Sequence, residues 1–250
     1  MNKKVIGLIP TRLHSSRLPQ KSLLPINKLP LIIHTYRRAK LSKLLTEVVI
    51  CCDDKKVLKI AKKFGAKAFL TSKHHKNGTE RIFEGLNKLN KKCDLVVDIQ
   101  GDEPLISPYH IDKVVNYHLK NLKYDIILPS LKIKNVNNTN IIKVIKNKFN
   151  EVIYLSRANI PFEFKELKKN IDKHLSIISF KPEALEKFAK HKKTNLEKIE
   201  DIELLRAIEI GLKIKSPVFS GDSFSVDVLK DYKKAKKAMK IDKYFKLYKS

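Results

Sequence analysis

The sequence predicts an α/β protein with a mostly parallel sheet and helices on both faces of it, and three observations carry that prediction. Short apolar runs alternate with amphipathic stretches of helical spacing through the first half of the chain. Each run has the length of a strand and ends in a polar or glycine-containing loop. With 250 residues, 42% of them hydrophobic, the chain is long enough to bury a core between such layers.

The elements follow in order. Val5 to Ile9 is the first buried-type run, and Leu31 to Leu41 has helical spacing after Pro30. Val48 to Cys51 is the second run, Asp54 to Phe64 an amphipathic helix stopped by Gly65, and Ala68 to Leu70 a short strand. A helix is expected from about Gly78 to Leu89 and a strand within Asp94 to Gln100. Ligands in such folds sit beyond the carboxyl ends of strands. The loops after Ile9, at Cys51–Asp54 and after Ile99 are therefore expected to face one crevice.

The second half is less regular. "DIILPSLKI", "IIKVI" and "EVIYL" between residues 125 and 160, and "KHLSIISF" from Lys173, read as strand-like runs. Helices are expected at Pro182 to Lys190 and at Leu196 to Gly211, then a strand at Ile214 to Phe219 and a final helix from about Val228. With no repeat or linker in view, residues 1–250 are expected to form one domain.

Lys and Arg number 53 against 26 Asp and Glu, a net charge of +27. The lysines are scattered over every expected helix and form no arm or block, so the charge by itself implies only non-specific affinity for polyanions. A basic nucleic-acid-binding module would show steeply salt-dependent retention; the scatter argues against a specific nucleic-acid partner. The three cysteines suit neither a disulfide framework nor a zinc site. The first apolar run is too short for a signal-peptide core, and no stretch approaches the ~20 residues that span a bilayer. A reduced, cytoplasmic protein without a membrane segment is the expectation.

Three loops carry the chemistry. "IPTRLHSSRLPQK" presents Arg12, Arg17 and Lys21 with two prolines and no glycine. Neither glycine-rich nucleotide pattern occurs among the seven glycines, so the loop is either a phosphate grip made of side chains or a solvated basic turn. "Gln100-Gly101-Asp102-Glu103-Pro104" offers a strand-end carboxylate suited to magnesium, which takes one or two carboxylates, or else a plain Gly-Asp turn. "Asn77-Gly78-Thr79-Glu80-Arg81" starts a helix, where free N–H groups meet an anion or base edge, or where an ordinary cap sits.

Together these stretches resemble one family. "IPTRLHSSRLPQKSL", "NGTERI" and "VVDIQGDEP" are similar to the 3-deoxy-manno-octulosonate (Kdo) cytidylyltransferases, also called CMP-Kdo synthetases. "VIKNKFNEVIYLSRANIPF", "KHLSIISF", "NLEKIEDIELLRAIEIG" and "SGDSFSVDVLKDYKKA" continue the likeness in order over nearly the whole chain.

The resemblance implies a three-layer, Rossmann-like fold of the nucleotide-diphospho-sugar transferase type, with a small β-rich subdomain at about residues 130–172 that contacts a second copy in a homodimer. It implies magnesium-dependent transfer from CTP to a 3-deoxy-2-ulosonic acid, Kdo or an analogue such as 8-amino-Kdo, for lipopolysaccharide or surface-glycan synthesis. The alternative within the same enzyme class is a different sugar acid or a sugar phosphate as acceptor, the latter disfavoured by the Ser-Ser-Arg-Leu-Pro loop. Arg12 and Lys21 would hold the triphosphate, with Ser15 and Arg17 in the same loop. Gln100, Gly78, Thr79 and Arg81 would place the nucleotide, and Asp102 and Asp227 would be the magnesium carboxylates. Arg157, His174 and Glu203 match the acid-sugar side. Taken alone, Asp227 reads equally as a helix N-cap, His174 as a hydrogen-bonded strand residue and Glu203 as a solvated helix charge.

Three departures stand out. The family has glycine before the loop lysine, where this chain has Gln20, a change of little cost if φ there is negative. Its Glu-Gln pair is Glu203-Leu204 here, and its His-x-Gly-x-Tyr is His174-Leu175-Ser176-Ile177-Ile178. The last two fall on the sugar side and leave the identity of the ulosonic acid open.

Overall fold

The computed structural model describes residues 3–134, 137–165 and 170–249. The chain forms two compact units, one running to Lys113 and resuming at Ser223, the other spanning Val114–Asp222.

The first unit opens with β1 (Val5–Thr11), followed by a short hairpin of β2 (Pro25–Ile26) and β3 (Leu29–Pro30), then α1 (Leu31–Ala39). Next come β4 (Glu47–Cys52), α2 (Lys55–Lys63), β5 (Ala68–Leu70), α3 (Gly78–Leu89) and β6 (Leu95–Ile99). The main strands lie in the order β6-β1-β4-β5, and all three pairings are parallel. Helices cover such strands on both faces, which is why β1, β4 and β6 read as continuous apolar runs. Asp98 in β6 is the exception, a fully buried carboxylate directly opposite Leu8 of β1.

Local chemistry sets the helix starts. The Asp54 carboxylate accepts the Lys56 N–H at 2.7 Å, and the Asn77 side chain accepts the Glu80 N–H at 2.8 Å. A further helix, α4 (Pro108–Leu119), joins the expected elements. Its signal is present in the sequence: Pro108 at the start, then Ile111, Val114 and Val115, all fully buried. The C-terminal helix, Leu229–Ile241, buries Ala235 and Met239 in one cluster with Leu18, Ile26, Leu31 and Val226. That cluster seats the end of the chain against Leu18 of the basic loop.

The second unit contains β7 (Ile126–Ile127), β8 (Ser130–Lys134), β9 (Lys143–Lys146), β10 (Val152–Ser156), β11 (Asn170–His174) and β12 (Ile177–Phe180). Helices α5 (Pro182–Lys190), α6 (Asn195–Glu200) and α7 (Leu204–Glu209) follow, then β13 (Ile214–Lys215) and β14 (Val218–Phe219). Within the unit the strands group as β13-β7-β12 and as a five-stranded sheet, β10-β9-β11-β8-β14.

Three runs that the sequence reads as single strands are therefore split. Residues 126–134, 170–180 and 214–219 each leave one sheet and enter the other at a common level. Pro129 and Pro217 mark two of the breaks, since proline cannot donate to a strand ladder. Their carbonyls are used instead: Leu175 N–H donates to Pro129 O at 3.0 Å and Ser130 N–H to Pro217 O at 2.9 Å. The expected helix from Leu196 to Gly211 is likewise two helices, because Asp201 adopts φ 50° and turns the chain between them.

Candidate active site

The basic loop leaves the carboxyl end of β1, and two distant segments meet it. Lys21 Nζ lies 2.7 Å from Asp102 Oδ2 and 3.2 Å from Asp227 Oδ1, so a single ammonium joins both aspartates. Arg17 Nη2 donates to the same Asp227 oxygen at 3.0 Å. Lys21, Asp102 and Asp227 are partly buried, whereas Arg17 is about half exposed, with 52% of its side chain accessible. Arg12 is exposed just beyond β1, and Ser15 is half-buried in the loop.

The segment carrying Asp227 is tied back to the loop after β6. Val226 N–H donates to Asp102 O at 2.9 Å, and Ser223 Oγ to the buried Glu103 carboxylate at 2.5 Å. Asp227 is not the N-cap of the C-terminal helix. Val228 is the N-cap, and Asp231, in the first turn of the helix, reaches back to accept the N–H groups of Asp227 and Val228 at 3.1 Å each. The Asp227 carboxylate is thereby left to Lys21, Arg17 and Ser225 Oγ, the last at 3.0 Å. Burial pushes its pKa up, but Lys21, Arg17 and Ser225 outweigh that and hold it below the usual carboxylate range.

Gln20 has φ 49°, so the backbone before Lys21 is left-handed and the substitution of glycine carries a real cost. Gly101 has no room for a side chain: a Cβ there would stand 2.6 Å from Pro10 O of β1.

The nucleotide-side residues differ in how they are used. Gly78 opens α3 beside Pro10 and the Gln100 amide. Gln100 Nε2 donates to Asp98 Oδ2 at 3.0 Å, and Thr79 is fully buried in the first turn of α3. Arg81 is buried and braces the loop after β5, donating from Nη1 to Thr71 Oγ1 at 2.7 Å and to Ser72 O at 3.1 Å. Its Nη2 also lies 3.8 Å from Asp53 Oδ2. Asp53, just after β4, accepts the Leu13 N–H at 2.9 Å. It is a positioning residue outside the family motifs, and its place at a strand end in "CCDD" is the signal for it in the sequence.

On the second unit, Arg157 at the end of β10 is bound into the turn between α6 and α7. Its Nε, Nη1 and Nη2 donate to Glu200 O, Thr139 O and Asp201 O at 2.8, 3.0 and 3.1 Å. Glu203 stands at the start of α7, two residues beyond that turn. His174 ends β11, opposite Ser130 of β8, and burial with Lys173 beside it lowers its pKa to about 4. Leu204, Leu175 and Ile178, at or beside the family's altered positions, are buried in the core.

What the first unit assembles is a cationic loop, at the carboxyl end of a parallel strand, closed on two carboxylates, an arrangement suited to nucleotidyl transfer. A family model described as Cytidylyltransferase matches residues 6–214. The chain is 36% identical to the 3-deoxy-manno-octulosonate cytidylyltransferase of Thermodesulfovibrio yellowstonii, covering 94% of this chain and 97% of that protein. It is 35% identical to the 8-amino-3,8-dideoxy-manno-octulosonate cytidylyltransferase of Shewanella baltica strain OS185, covering 94% and 98%. Among solved structures, CMP:2-keto-3-deoxy-manno-octonic acid synthetase complexed with CTP superposes with a TM-score of 0.87 at 28% identity, over 95% of this chain and 98% of that one. The chain belongs to the 3-deoxy-manno-octulosonate cytidylyltransferase family and is a nucleotidyltransferase. Among the described residues no helix is long and apolar enough to cross a membrane.

Proposed function

We propose that this protein transfers CMP from CTP to a 3-deoxy-2-ulosonic acid, Kdo or 8-amino-Kdo, releasing pyrophosphate. The observation that carries the reading is the meeting of Lys21, Asp102 and Asp227 at one point beside the basic loop. Relatives that act on Kdo and on its 8-amino analogue match this chain about equally, at 36% and 35% identity. The acceptor is therefore proposed as a class.

In this reading the anomeric hydroxyl of the sugar acid attacks the α-phosphorus in line. The bond from that phosphorus to the bridging oxygen breaks, pyrophosphate leaves and the hydroxyl proton is lost. Arg12, Arg17 and Lys21 neutralise the phosphates, Arg12 and Lys21 most directly, and Ser15 supports the loop. Gln100, Gly78 and Thr79 place the nucleotide, while Arg81 and Asp53 hold the loops that carry it. Arg157, His174 and Glu203 are proposed for the acid sugar.

The site fits magnesium. Among the described residues no group of three or more His, Cys, Asp or Glu could hold a metal ion, and magnesium bound with substrate phosphates needs only one or two carboxylates. Asp102 and Asp227 are already converged on one cation and would supply them. Held by Asp102 and Asp227, magnesium would supply positive charge against the phosphates and Lewis-acid activation of the attacking hydroxyl.

The two units are proposed to work as one cytidylyltransferase domain in a cytoplasmic homodimer serving lipopolysaccharide or surface-glycan synthesis. Phe162 and Phe164, each 83% exposed, and Ile153 on the edge strand β10 favour a partner surface on the second unit. The buried thiols of Cys51 and Cys52 fit a reducing compartment.

The test is a pyrophosphate-release assay with CTP, magnesium and a panel of ulosonic acids. Release with Kdo or 8-amino-Kdo is expected, and Asp102→Asn should lower it at least about 100-fold without loss of fold. Undiminished turnover in Asp102→Asn at saturating magnesium would exclude the carboxylate role.

A further inference from the structure

Two carboxylates brought together repel each other unless a cation lies between them. Here the cation is the protein's own. The Lys21 ammonium contacts Asp102 at 2.7 Å and Asp227 at 3.2 Å, and Arg17 adds a second positive group on the Asp227 oxygen. Lys21 is thus held on the two carboxylates. It emerges from the short 3₁₀ turn Lys21–Leu23, whose approach is fixed by the left-handed Gln20 and by Leu18 in the cluster under the C-terminal helix. Its side chain retains only 16% exposure, so it is a docked group and not a waving surface lysine.

We infer that Lys21 occupies the divalent-cation position in the nucleotide-free protein and must leave it when the metal binds. This inference rests on the proposed reading of the site and adds a second task for Lys21. One residue serves both the carboxylate pair and the triphosphate, but not both at once. A metal arriving alone displaces the ammonium from both carboxylates, and those two contacts are lost. A metal arriving with a triphosphate displaces the ammonium into contact with phosphate oxygens, and the phosphates complete the metal's shell. The two ligands therefore favour each other's binding, and the coupling is reciprocal by linkage. The enzyme selects the metal–nucleotide pair over either ligand alone.

The experiment is a titration of the nucleotide-free protein with Mn²⁺, followed by the loss of the free-ion spin-resonance signal. Wild type, Lys21→Met, Lys21→Gln and the double variant Lys21→Met with Asp102→Asn are compared, each checked for fold by its melting transition. Removing the competing like charge should tighten Mn²⁺ binding by at least about tenfold in Lys21→Met and Lys21→Gln. The gain should vanish when Asp102 is also changed. Mn²⁺ binding that is unchanged or weaker in both Lys21 variants, or a gain that survives Asp102→Asn, would overturn the inference. Failure of the parent reading has a different signature: no pyrophosphate from CTP and any ulosonic acid with the wild-type protein, whatever the Mn²⁺ titrations give.

Discussion

Gly101 is where the geometry of the sheet is passed to the site, and Gly101→Ala tests that transfer. A Cβ at this position would meet Pro10 O at 2.6 Å, Ile32 Cδ1 at 3.1 Å and Thr11 Cβ at 3.4 Å. Ordinary carbon–oxygen approach is about 3.3 Å, so something must give by roughly 0.7 Å. Pro10 belongs to β1, where it pairs with Cys51 of β4 two residues beyond the last pairing with β6 at Leu8, so the loop carrying Asp102 is what moves. Overpacking of this kind costs about 1–3 kcal/mol of stability. A misplacement approaching 1 Å at a reacting centre costs on the order of 100-fold in rate. Gly101→Ala is therefore expected to release pyrophosphate about 10- to 100-fold more slowly than wild type, assayed well below its own melting temperature. Turnover within about twofold of wild type would refute the argument that β1 fixes the position of Asp102.

Two further outcomes concern stability. Gln20→Gly should stabilise the protein by about 0.5 kcal/mol, since relief of a left-handed residue, about 1 kcal/mol, exceeds the added chain entropy of glycine; a lower urea midpoint in the variant would contradict this. His34 and His118 are buried, with Nε2 of His34 2.7 Å from Ile26 O and Nδ1 of His118 2.7 Å from Ser179 Oγ, and burial lowers each pKa to about 4. Unfolded, each titrates near 6.5, so between those values the unfolded chain binds more protons and stability falls as pH falls. The slope is about 1.4 kcal/mol per pH unit for each histidine. His174, lowered to about 4 in the same way, adds a third such contribution, so urea unfolding at pH 5 should show about 5–6 kcal/mol less stability than at pH 7, and equal stability at the two values would remove the assignment.

The parallel sheet of the first unit was legible because its signals are local. Strands covered on both faces must be apolar without interruption, and the helices between them must carry one apolar face; both patterns survive in a bare sequence. The second unit was less so. A run such as "DIILPSLKI" has the composition of one strand, and only the company it keeps divides it between two sheets at Pro129. The α6–α7 break at Asp201 is likewise a backbone turn that composition does not announce.

The site divides along the same line. The sequence by itself determined which residue types stand at strand ends: Arg12, Arg17 and Lys21 after β1, Gln100 and Asp102 after β6. It could not determine their pairing, because hydrogen bonds and charge contacts depend on distances that chain separation does not encode. Only the tertiary structure decided that Val228, not Asp227, is the N-cap of the last helix with Asp231 reaching back to it, that Arg81 and Arg157 are engaged with neighbouring carbonyl and hydroxyl groups, and that Asp53 holds the Leu13 N–H. It also decided that Lys21 lies on both aspartates, because the C-terminal helix packs on Leu18 and carries Asp227 with it.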